Sequence, residues 1–149
     1  MAETLGSLSD KLTIVKLKQY HTDDGIRLEN LLRQETQLRN EIDELVVDAT
    51  SGKIPIEKLM FSANKVYRKA GNETQTIEGT IGALLAQLAD INCKLWHVQE
   101  KVYEFEEVPV EQKDIIIKDL AILNLERNNC IDAVDKEFAL MVESTLSNA

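Results

Sequence analysis

Two short spacings in this chain place an ammonium and an imidazole together: Lys18 with His21, and Lys94 with His97, which are its only two histidines. Residues three apart on a helix are neighbours, so each pair forms an edge that attracts anions. Tyr20 and Trp96 stand immediately before the histidines and offer rings for stacking against a base or sugar. If the two sets face each other, with Arg127 and Asn128 added from a later helix, they make a cleft for a small phosphorylated ligand such as a signalling nucleotide. The structural alternative is that each histidine caps the carbonyls at a helix C-terminus while the aromatic before it fills the core. Asn128 and Asn129 carry a similar choice. Asparagine is a poor helix former, so a consecutive pair points to a specific hydrogen bond. That bond serves either a ligand or a buried polar network that fixes helix register.

Catalytic signatures are missing. No glycine-rich phosphate loop of the GxxxxGK[ST] or GxGxxG type occurs, and no HExxH or paired ExxH supplies metal ligands. Cys93 and His97 share a helix face, but no acidic group is evident to orient the imidazole. Cys93 and Cys130 lie within apolar helical patterns without CxxC spacing, which predicts two buried free thiols. Glu104, Glu107, Glu111 and Asp114 are spaced somewhat like the ExxE and ExxD pairs of all-α nucleoside triphosphate pyrophosphohydrolases. The gap between the pairs is far too short for that family, and Pro109 interrupts it, so a solvated acidic face is expected. The reading is of a protein that is not an enzyme and that uses neither cofactor nor metal.

The elements that must position these residues are helices. Two prolines and six glycines are the only strong breakers, and no segment alternates in the manner of a strand. Leu5, Leu8, Leu12 and Val15 give a first helix over about 4–22. After "DDG", Leu28, Leu31, Leu32, Leu38, Ile42 and Leu45 give a second over about 26–48. Pro55 suits the first turn of a third, which Gly71 stops. A fourth spans about 77–106, and Pro109 separates it from a fifth over about 110–143. The stretch Thr4–His21 nearly recurs at Thr80–His97, with Thr4/Thr80, Gly6/Gly82, Leu8/Leu84, Leu12/Leu88, Lys18/Lys94 and His21/His97 identical. The expected architecture is therefore an all-α single domain. It is a four-helix bundle built from two duplicated helical hairpins, at about 4–48 and 77–146, plus a short connecting helix at about 55–70. The alternative is that the first two helices run on as one, which would bring the second half of the bundle from another chain.

If Leu31 pairs as Leu123 does, the offset between the hairpins grows from 76 to 92. The second hairpin should then project beyond the bundle, carrying Tyr103 and Phe105 among Glu100, Glu104, Glu106 and Glu107. Aromatic anchors in such a setting suit a protein partner; otherwise they fold back on the bundle. The connector is basic, with Lys53, Lys58, Lys65, Arg68 and Lys69 against only Glu57. Lys65, Arg68 and Lys69 are candidates for an acidic partner, or else the band docks on this chain's own acidic helices. A net charge of −9 argues against general nucleic-acid binding. No apolar run is long enough to cross a membrane and no leader-like start is seen, which predicts a cytoplasmic protein.

"TIGALLAQLADINCKLWH" with "LNLERNNCIDAVD" resembles a pattern in small uncharacterised helical proteins of bacteria and their phages. The acidic residue that usually follows the G-x-L start is absent from the second copy and corresponds to Asp10 in the first. The resemblance implies the helical fold and no assigned reaction; a phage origin would imply capture of a host nucleotide or of a host defence protein. The sequence leads first to a non-enzymatic helical interaction or assembly protein that self-associates, and second to a binder of a small phosphorylated ligand.

Overall fold

A computed structural model describes residues 2–62, 74 and 77–148. Four helices account for most of them: α1 (Leu5–His21), α2 (Gly25–Thr50), α3 (Ile81–Tyr103) and α4 (Val110–Ser147). Among the described residues there is no strand. The protein is all α.

Side chains set the helix ends. Thr4 and Ser7 form a reciprocal capping box at α1, and the Asp24 carboxylate accepts from the Ile26 and Arg27 amides at α2. The Thr80 hydroxyl accepts from the Ala83 amide and opens α3 in the same way. Gly52, at φ +81°, ends α2: its amide reaches the Ala49 carbonyl while that of Lys53 reaches Asp48. This double closure needs a left-handed residue, which glycine supplies without steric cost. Pro109 holds Val108 extended and so separates α3 and its terminal 3-10 turn, Phe105–Glu107, from α4.

The chain turns at Thr22–Asp24 and α1 does not continue into α2, so the first hairpin closes within one chain. Its arms are antiparallel. Lys16 Nζ meets Glu35 at 2.6 Å and the Gln19 amide donates to the Leu31 carbonyl at 3.3 Å. Leu8, Val15, Leu31 and Leu38 fill the seam between them. In the second hairpin Leu88, Ile91 and Leu95 of α3 pack with Cys130 of α4, whose thiol donates to the Leu84 carbonyl at 3.2 Å. The two hairpins share a larger core of Leu5, Ala49, Leu59, Leu84, Val134, Phe138, Ala139 and Val142.

The packing is not a square. α1 lies against α2, α3 and α4, whereas α2 makes its main contact with α1 and touches α4 only lightly. At this joint Gly6 presents bare backbone to α4. A β-carbon on Gly6 would sit 2.5 Å from the Ile131 carbonyl oxygen. Within the expected connecting helix, the described residues show only a 3-10 turn, Ile56–Lys58, followed by non-helical chain to Ser62. Leu59, with right-handed helical dihedrals, closes that turn and is buried in the core, and Ser62 takes a left-handed φ of 49°. A left-handed residue is incompatible with one helix running from Pro55 through Ser62. The rest of that span lies outside the described residues.

Candidate functional site

The two lysine–histidine pairs do not face each other across one cleft. The His21 ring stacks on Trp96, with centroids 4.7 Å apart and planes inclined by 12°, so the end of α1 is pinned to α3. Tyr20 meets His21 edge-on and is 85% exposed, so it does not fill the core. Its counterpart Trp96 is half-buried. Lys18 is partly buried on α1. Lys94 pairs with Asp90 at 3.0 Å, and His97 Nδ1 stands 3.8 Å from Glu100. Successive helical residues turn by 100°, so Lys94 points well away from Trp96 and from α1.

Lys94 and His97 instead line a groove of about 410 Å³ between α3 and α4. The α3 wall carries Lys94, His97 and Val98, and the α4 wall carries Asp119, Ile122, Leu123 and Glu126. Carboxylates opposite the two basic side chains cancel the field that a phosphate would seek. Arg127 and Asn128, both partly buried on α4, are not among the groove's residues. The Arg127 Nε atom is buried with no hydrogen-bond partner. Asn124, for its part, donates back to the Leu120 carbonyl at 3.0 Å.

The cysteines separate. Cys130 is buried, but Cys93 is exposed, contrary to the expectation of two buried thiols. α3 buries the side that carries Leu88, Ile91, Asn92 and Leu95, and Cys93 falls outside it. Burial, with the nearby Asp10 charge, pushes the Cys130 thiol up to about 11, so it stays protonated and inert.

The polar residues at the hairpin joint are ones that spacing did not single out. The Asn92 amide donates to Asp10 at 2.9 Å between α3 and α1, and both side chains are buried. Asp135, on α4, accepts from the Gly6 amide at 2.7 Å. It thus caps α1 from the far end of the chain, satisfying an orphan N–H where the helix dipole favours negative charge. Burial nevertheless dominates and raises Asp135 to about 6; the Gly6 amide and Thr4 hydroxyl oppose that rise, and Asp132 adds to it. The available signal was an aspartate among Ile131, Val134, Phe138 and Val142, on a face otherwise apolar.

Among the described residues, the second hairpin goes on alone past the joint. From Trp96 to Tyr103 α3 advances about 10 Å beyond the end of α1, at 1.5 Å per residue. Phe105 is partly buried beneath the Lys113 ammonium, which lies 4.7 Å from its ring centroid, while Tyr103 stands out in solvent. Glu104, Glu107, Glu111 and Asp114 are all exposed, and among the described residues no three His, Cys, Asp or Glu side chains gather as a metal site would require. Lys65, Arg68 and Lys69 lie outside the described residues. None of the described helices is long and apolar enough to cross a membrane. Comparison with models of known protein families, with curated proteins and with solved structures returns no match.

Proposed function

We propose that this chain is a non-enzymatic helical interaction protein that docks protein partners through the projecting part of its α3–α4 hairpin. One observation carries the reading: large apolar side chains stand in solvent on more than one side of that short projection. Tyr103 is 84% exposed, Val110 80%, Ile115 60% and Ile117 53%. Single exposed hydrophobics are ordinary, but several on one short, two-helix projection are the usual mark of a surface that another protein covers. Seven acidic residues between 98 and 119 against three basic ones leave the projection negative and favour a partner that brings positive charge.

A photo-crosslinking amino acid placed at Tyr103 or Ile115 in cells tests this, with the exposed Thr50 of α2 as the control position. Discrete protein adducts are expected at the two hairpin positions, reduced when Val110 and Ile117 are changed to serine. If the hairpin positions yield no more adduct than Thr50, the reading is wrong.

A further inference from the structure

We propose that the α3–α4 groove is closed by the same groove of a second copy of this chain, two hairpins making one intermolecular four-helix bundle. This deepens the interaction reading and rests on it. Every ionisable side chain lining the groove from α3, Lys94 and His97, is basic or can become so, whereas both from α4, Asp119 and Glu126, are acidic. Between them lies an apolar floor of Val98, Ile122 and Leu123. Ile115, four residues before Asp119, extends the apolar strip along α4 toward the tip and is exposed.

A surface with a basic wall and an acidic wall matches itself under one operation. A twofold axis running along the groove lays α3 of one copy over α4 of the other, so the Lys94 of each copy meets the exposed Asp119 of its mate. Isologous pairing needs this kind of self-complementarity, and a foreign partner would have to reproduce the same pattern on its own surface. The helical architecture points the same way. Among the described residues, the hairpin beyond Trp96 has only its own α3–α4 seam, and two helices leave one broad face of each uncovered. Two such hairpins stacked face to face bury both faces in the arrangement that four-helix bundles use. The groove's α4 wall spans only about two helical turns, Asp119 to Glu126, which places the contact at the small end of specific interfaces, where association is weak and transient.

Sedimentation velocity on the full chain, from low to high micromolar concentration, provides the test. The wild type should pass from monomer to dimer, less readily at high salt. Lys94→Glu should put acid against acid, and Asp119→Lys base against base; each alone should weaken self-association at least about tenfold. Mixing the two variants restores opposite charges at both crossings, so the mixture should form a heterodimer that neither forms alone. The double variant K94E/D119K should dimerise with itself. Circular dichroism on each variant checks that the helices persist, since Lys94→Glu also loses the Asp90 pair, and the mixture and double variant carry the same changes with pairing restored. A wild type that stays monomeric throughout overturns the inference, although foreign adducts at Ile115 would still support the docking reading. A dimer indifferent to both charge reversals overturns it too, because the contact would then lie elsewhere.

Discussion

At the scale of single residues, the joint between the hairpins is held by groups that are costly to bury. Asp135 is the clearest case, because its ordinary value of 3.8 rises to about 6 in the fold. A carboxyl raised on folding is one that the native state prefers protonated. Its ionised form therefore subtracts from stability above about pH 6, and that penalty is lifted as pH falls from about 6 toward 4, where the unfolded chain begins to take up the same proton. A shift of this size corresponds to at most about 3 kcal/mol. Urea denaturation from pH 4 to 8 should show Asp135→Asn flattening this pH dependence and gaining about 1–2 kcal/mol at pH 8, since asparagine keeps an acceptor for the Gly6 amide and sheds the charge. A loss of stability at pH 8 would mean that the charge on the α1 N-terminus outweighs its burial. The cysteines offer a second check. Under native conditions at neutral pH, iodoacetamide should modify Cys93 and spare Cys130, whose thiol is buried and raised to about 11; in denaturant both should react. Equal native labelling of the two would show that the α3–α4 seam opens freely.

At the scale of elements, the helices were legible because their determinants are local. Leucine spacing, the Thr4, Asp24 and Thr80 caps and the break at Pro109 all act within one or two turns, and the structure bounds the four helices within a few residues of where those signals put them. The connector was not legible in the same way. Pro55 and the run after it read as helix from local preference, yet the turn stops after three residues, Leu59 is held in the shared core and Ser62 turns left-handed. Local signals also conceal how stability varies along a helix. α4 is continuous from Val110 to Ser147, but its second half packs against α1 and the shared core while its first half contacts chiefly α3. Hydrogen exchange should therefore be graded within this one element: amides near 113–119 should exchange substantially faster than those near 130–142, because local opening there exposes few buried apolar contacts. Uniform protection along α4 would indicate that something covers its first half in solution, and protection that rises with protein concentration would match the dimer inferred above.

At the scale of the whole molecule, the internal repeat is written in the sequence without producing equivalent environments. Gly6 and Gly82 occupy the same place in the two copies, each two residues past its capping threonine. Gly6 meets the backbone of α4, whereas a β-carbon on Gly82 would find nothing within 4 Å. The difference follows from position: α1 sits inside, against three helices, while the start of α3 has one side in solvent. His21 and His97 diverge for the same reason, the first stacked on Trp96 at the joint and the second turned to the outer groove. Spacing along a chain assigns a residue to a helical face, but only the packing of hairpin on hairpin decides what that face meets, and so the six repeated identities could not reveal the site. The two glycines give this asymmetry a thermodynamic form. Gly82→Ala should stabilise by up to about 1 kcal/mol through helix propensity alone. Gly6→Ala should instead destabilise by about 1–3 kcal/mol or more, since the Ile131 carbonyl must move and the Asp135 hydrogen bond with it. Chemical denaturation of the two variants side by side would read opposite signs; matching signs would mean that the copies are packed alike and that α1 does not hold the inner place.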